Sequence, residues 1–207
     1  MCSFQQILEN LANLGSFATA IIAFAALVSW KKQSIGKAKM EIAGQVLCSV
    51  QEIEDLFSFV LNSSRSATEN QECIEYYKLR NKQLSESDLE YVIPLYRIEK
   101  NTKKIELFFE LRNKVAIYWD PNSIKAFDKI MSICKQIQNA CNSLRLNKNS
   151  ISEKDFILYG QIISGVKNNP IDKQLDAIFE EIRFNMSKVL KKRDKWLSKT
   201  TGLQNAK

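Results

Sequence analysis

The hydrophobic pattern changes character once along this chain. Leu14 to Val28 is apolar but for Ser16 and Thr19, within an uncharged run of 21 residues from Asn10 to Trp30. Beyond it, apolar residues recur every three or four positions, first at Ile42, Val46, Val50, Ile53, Phe57 and Val60. That spacing predicts a helix ending near Leu61, continuous with the apolar run, with Gly36 and Gly44 as possible bends. Asn62 to Thr68 reads as a loop and Glu72 to Lys82 as a short polar helix. A long helix is expected from Ser87 to Trp119, with Pro94 near its start and Ile98, Ile105, Phe108, Phe109, Val115 and Ala116 apolar. Asp120-Pro121 stops it and caps the next, whose stripe is Ile124, Phe127, Ile130, Cys134, Ile137, Cys141 and Leu144. Ser152 opens a shorter helix reaching about Val166, and Asn169-Pro170 opens the last, with Ile171, Leu175, Ile178, Ile182, Met186, Val189 and Trp196 on one side. No alternating β-branched run competes. The expected fold is all-α: one N-terminal transmembrane helix continuing into an up-and-down helical bundle. The expected division is 1–31 (tail and membrane helix), 32–199 (bundle) and 200–207 (disordered tail).

About 20 mainly apolar residues suffice to cross a hydrocarbon core. Trp30, followed by Lys31, Lys32, Lys37 and Lys39, has the aromatic and basic character of an interfacial edge. A buried helix of a soluble core is normally shorter and punctuated by polar positions. A cleaved signal peptide carries its basic charge before the apolar run, not after it. Because lysine and arginine are retained on the cytoplasmic side, the N-terminus is expected outside and the remainder in the cytoplasm. Gly15, Thr19 and Ala23 recur every four residues, a spacing that lets two membrane helices approach closely; lipid-facing filler has the same appearance.

Charge sharpens this picture. All 30 basic residues and 22 of the 23 acidic ones follow Trp30, which leaves that part at +8. Such a domain suits a surface of anionic lipid headgroups. If four long helices alternate in direction, the end of the last returns to the bilayer, bringing Lys188, Lys191, Lys192, Arg193, Lys195 and Lys199 with it. The bland alternative is a basic terminus that only complements the helix dipole.

The segments Ser29-Trp30-Lys31-Lys32-Gln33, Gly36-Lys37 and Val50-Gln51-Glu52-Ile53-Glu54-Asp55 resemble a widespread group of uncharacterised bacterial proteins with an N-terminal membrane helix, a Trp-Lys-Lys-Gln segment and a helical cytoplasmic domain. Asn113-Lys114-Val115-Ala116-Ile117-Tyr118-Trp119 and Ile157-Leu158-Tyr159-Gly160 are similar to further landmarks of that group. Asn62-Ser63-Ser64 stands where the group has an Arg-Asn-Pro turn. The resemblance implies an architecture and a bacterial origin, and transfers no site residue.

Catalytic chemistry finds little footing. With no histidine there is no triad, no zinc set with histidine and no Glu-x-x-His di-iron pair. The six glycines form no phosphate loop. Cys2, Cys48, Cys73, Cys134 and Cys141 lack Cys-x-x-Cys spacing, and Cys48, Cys134 and Cys141 fall among apolar positions, as buried reduced thiols would. Cys2 is assigned no lipid. The adjacent acids Glu54-Asp55 and Glu180-Glu181 point to different helix faces and read as solvated charges. Arg112 reads as a stem packed on apolar surface with its head in water, or else paired with Glu52, Glu54, Glu106 or Glu110. Phe108, Phe109, Tyr118 and Trp119 read as core.

The expectation is therefore a non-enzymatic, single-pass anchored interaction or sensing module with no cofactor and no metal. A protein partner or self-association accompanies the lipid contact. The runner-up is an oligomerising inner-membrane effector of stress or phage defence that perturbs the membrane. A third reading, nucleic-acid binding through the basic end of the last helix, predicts steep salt dependence; nucleic acid is not the expected partner.

Overall fold

The computed structural model describes residues 4–80, 82, 84–146, 150–163 and 169–200, with only the backbone described for 4–12, 170 and 192–200. Every regular element among them is helical, as the pattern predicts: α1 Phe4–Val60, α2 Ala67–Lys78, α3 Leu89–Lys100, α4 Thr102–Tyr118, α5 Lys125–Leu146, α6 Glu153–Ile163 and α7 Pro170–Thr200. Single 3₁₀ turns at Glu86–Asp88 and Pro121–Ile124 lead into α3 and α5. Contacts divide the chain into two units, Met1–Glu41 and Ile42–Lys207. The expected tail beyond residue 200 lies outside the described residues.

In the second unit α5 is central, packing against α3, α6 and α7. Its buried Phe127, Ile130, Cys134, Ile137, Cys141 and Leu144 share one face because three- and four-residue steps keep side chains on the same side of a helix. Residues Ile42 to Val60 of α1 and Ile171 to Met186 of α7 supply the matching apolar stripes. Phe108 of α4 meets Phe127 at 5.0 Å between ring centroids, and Phe57 meets Phe179 at 6.5 Å. A smaller, separate core holds α2 to α3 through Cys73, Tyr77, Leu89, Val92, Ile93 and Tyr96.

Three expectations are corrected. The single helix over 87–119 is two helices, parted at Asn101, whose backbone (φ −106°, ψ 17°) leaves the helical region. Asn101 Nδ2 donates to the Arg97 carbonyl at 2.9 Å and Thr102 Oγ1 to the Glu99 carbonyl at 2.7 Å, so side chains take acceptors that a continuing ladder would use. Pro94, by contrast, sits inside α3 without ending it. The second correction is α2, which starts five residues earlier than the polar stretch suggested. Ser66 is its N-cap, its hydroxyl accepting from Glu69 N–H at 3.0 Å, so the presumed loop is shorter. Thirdly, Cys48 is exposed, whereas Cys73, Cys134 and Cys141 are buried.

The punctuation residues behave as read. Asp120 caps Asn122 N–H at 2.8 Å ahead of the Pro121 turn. Ser152 Oγ accepts from Asp155 N–H at 3.1 Å at the head of α6. Asn169 is buried and bridges two helices, donating to the Ile162 carbonyl at 3.0 Å and accepting from Ile171 N–H at 2.9 Å.

Candidate functional site

Two regions carry chemistry that packing alone does not explain: the apolar stretch of α1 and a buried arginine on α3. In the first, Leu14, Phe17, Ile21, Ile22, Phe24, Leu27, Val28 and Trp30 are each 37 to 69% exposed. α1 is long and apolar enough to cross a membrane, and none of its most apolar window is buried. A soluble-core helix would bury these side chains; leaving eight large apolar groups in water opposes the hydrophobic effect. Gly15, Thr19 and Ala23 are exposed too. A Cβ at Gly15 would meet no atom within 4 Å, and Thr19 Oγ1 donates to the Gly15 carbonyl at 2.8 Å, so the hydroxyl is satisfied inside its own helix. Lys31, Lys32 and Lys37 are exposed and Lys39 is half-buried.

The second basic group is only partly visible. Lys188 Nζ lies 3.8 Å from the centre of the Phe184 ring one turn earlier on α7, a cation–π contact at an exposed site. Lys191 is exposed. The side chains of Lys192, Arg193, Lys195, Trp196 and Lys199 lie outside the described residues. The alternation expected to return this helix end to a membrane counts 87–119 as one helix, which the structure divides at Asn101.

Arg97 is the group the pattern did not single out. Its side chain is 2% exposed, and all five of its N–H donors are used. Nε and Nη2 make a bidentate pair with the two Glu69 oxygens, each at 2.7 Å. Nη1 donates to the carbonyls of Phe59 (2.7 Å) and Asn62 (2.6 Å), and Nη2 to that of Ser64 (2.8 Å). Its guanidinium also lies over the Phe59 ring at 4.4 Å. Phe59 and Asn62 flank the end of α1, where carbonyls run out of helical partners, and Glu69 lies in the first turn of α2. One side chain from α3 therefore satisfies the end of α1, the connecting loop and the start of α2.

Around it runs a polar rim. Tyr96 Oη donates to Glu72 at 2.9 Å, Lys100 pairs with the same carboxylate, and Tyr77 Oη donates to Glu99 at 3.3 Å. The Lys100 and Tyr96 hydrogen bonds hold the Glu72 carboxyl below the usual carboxylate range, and the Lys100 ammonium is raised in turn, first by its bond to Glu72. Desolvation pushes the buried thiols up, Cys73 and Cys134 to about 11 and Cys141 to about 12. Such thiols are poor nucleophiles at neutral pH.

Other charged residues found partners that spacing alone did not suggest. Arg112 Nε donates to Asp128 at 2.8 Å, a residue outside the set considered for it. Glu54 and Glu180 both pair with Arg183, and Glu181 pairs with Lys129 at 2.8 Å, so these acids are ion-paired between and along helices rather than merely solvated. Among the described residues no cluster of cysteines and carboxylates is arranged to hold a metal ion. Phe108 is fully buried, while Phe109, Tyr118 and Trp119 pack partly buried against the main core.

Comparison with protein-family models, curated proteins and solved structures finds no match for this chain.

Proposed function

We propose that this chain is a single-pass, membrane-anchored helical interaction module with no catalytic activity of its own. The observation that carries the reading is the full exposure of the apolar stretch of α1, which only lipid or another apolar surface would cover. The anchor sits in a bacterial inner membrane, N-terminus outside, with Trp30 and the following lysines at the cytoplasmic interface. The helical unit from Ile42 onward, whose helices are tied by ion pairs such as Arg97–Glu69 and Arg183–Glu54 and whose buried thiols Cys73, Cys134 and Cys141 are poor nucleophiles, acts by binding a protein partner or another copy of itself. Anionic headgroups contribute attraction, and the resemblance to anchored bacterial proteins points the same way.

The test is extraction of the full-length protein from membranes with alkaline carbonate. The wild type stays with the bilayer and the double variant Phe17→Asp/Ile21→Asp is released; release of the wild type rejects the anchor. Masses of the full-length protein in nanodiscs, with Gly15→Leu/Thr19→Leu beside the wild type, then separate the two anchored readings. Assemblies that survive both leucines support an interaction module working through its helical unit. Assemblies that vanish with them favour an effector assembled through the membrane helix.

A further inference from the structure

Gly160 occupies the interior of α6, where glycine costs about 1 kcal/mol relative to alanine. Nothing within the fold calls for it: its backbone does not adopt a positive φ, and a Cβ would meet no atom within 4 Å. What it borders is a groove of about 530 Å³ between α6, the start of α3 and the end of α5. That size falls within the range of small-molecule sites. Ile93, Pro94, Leu144, Phe156 and Ile163 give the groove an apolar bed.

Six of its lining residues are polar, Asn62, Ser63, Arg65, Glu90, Tyr91 and Gln161, and two of these carry a charge. Arg65, in the loop before α2, lines the groove and pairs with no described residue, in contrast to the buried and ion-paired Arg97. Glu90 lines it as well, its carboxylate unpaired among the described residues. The groove thus offers an apolar bed with one guanidinium and one carboxylate at its edge.

We propose that this groove binds a small amphipathic anion: an aromatic or alicyclic body on the apolar bed, an acidic group held by Arg65, and an N–H or O–H donor taken up by Glu90. A guanidinium recognises a carboxylate or sulfonate through paired hydrogen bonds, and the positive charge of the chain, +7, favours an anion over a cation. The glycine keeps the α6 wall low enough for the ligand body to lie against the helix backbone. The groove lies wholly within the unit from Ile42 onward, so the proposal stands apart from the anchor and its oligomerisation.

The experiment uses the full-length protein in nanodiscs and an aminonaphthalene sulfonate as probe, observed by saturation-transfer NMR with empty nanodiscs subtracted. Gly160→Phe fills the groove from α6 and weakens binding at least about tenfold, or about 1.4 kcal/mol, with the melting temperature not lowered; Gly160→Leu replaces it if the larger ring prevents folding. Arg65→Gln lowers affinity for the sulfonate but leaves that for uncharged aminonaphthalene as it was. The proposal is overturned by absence of binding, by unchanged affinity in a folded Gly160 variant, or by preference for naphthylmethylammonium over the sulfonate.

Discussion

Replacing Arg97 by methionine is the sharpest test of the clamp between α1, α2 and α3. The substitution preserves an apolar stem of similar length but removes five hydrogen bonds, two of them to a carboxylate only 16% exposed. Taking one partner from a buried ion pair costs about 3–5 kcal/mol, largely because the remaining charge stays desolvated. In a domain of this size each kcal/mol lowers the melting temperature by about 2–4 °C, so a fall of about 6–20 °C is expected. Arg97→Lys retains the charge but not the fork, and cannot reach Phe59, Asn62, Ser64 and Glu69 together. Its fall is intermediate. The decisive comparison is Arg97→Met/Glu69→Leu: with the stranded carboxylate gone, about 1–2 kcal/mol of the loss returns. Melting is followed by far-ultraviolet circular dichroism of the full chain in nanodiscs, and hydrogen exchange locates the change. Amides of 61–78 lose protection first in Arg97→Met, whereas those of α5 do not. A fall below about 2 °C would refute the reasoning, as would a double variant less stable than Arg97→Met alone.

Phe127→Ala removes a fully buried ring stacked near Phe108 and lowers stability by about 3–5 kcal/mol, whereas Phe184→Ala, at a 61% exposed ring, stays within about 0.5 kcal/mol; denaturant unfolding of both variants checks the contrast. In native protein at pH 8, Ellman's reagent labels exposed Cys48 and spares Cys134 and Cys141, whose thiols are raised by burial to about 11 and about 12; labelling of these two without unfolding contradicts the packing. Because Glu72 is held below its ordinary value of 4.5, its contribution to stability is complete above that pH and disappears as the pH falls through the lower, folded value. Glu72→Gln therefore flattens the loss of melting temperature below pH 4.5, and an unchanged acid profile disproves the linkage.

Most of the helices are readable in the chain because each long stripe meets a face that must be buried. The α5 stripe from Phe127 to Leu144 and the α7 stripe from Ile171 to Met186 follow directly from 3.6-residue periodicity. The Asp120-Pro121 and Asn169-Pro170 boundaries are local too, since caps act within one turn. The break at Asn101 was less visible because asparagine and threonine have two local options, the ladder or their own side-chain bonds, and the choice depends on surroundings. One sign of Arg97 was present in the chain: it stands in Val92-Ile93-Pro94-Leu95-Tyr96-Arg97-Ile98, an otherwise uncharged run that is buried throughout. A charge in such a run needs a partner, but nothing in the spacing names it.

Length, charge order and periodicity, all properties of neighbours along the chain, are enough for the all-helical class, the position of the membrane-length segment and the faces to be buried. Partner choice belongs to the tertiary structure. Glu69 lies 28 residues from Arg97, Phe59 lies 38, and Glu54 lies 129 from Arg183. Pairings over such distances arise only when packed helices bring side chains within about 3 Å, since a hydrogen bond weakens steeply with distance and misalignment and carries no trace in local periodicity. The same holds for the groove beside Gly160, whose walls come from a loop and three helices that no stretch of sequence places together.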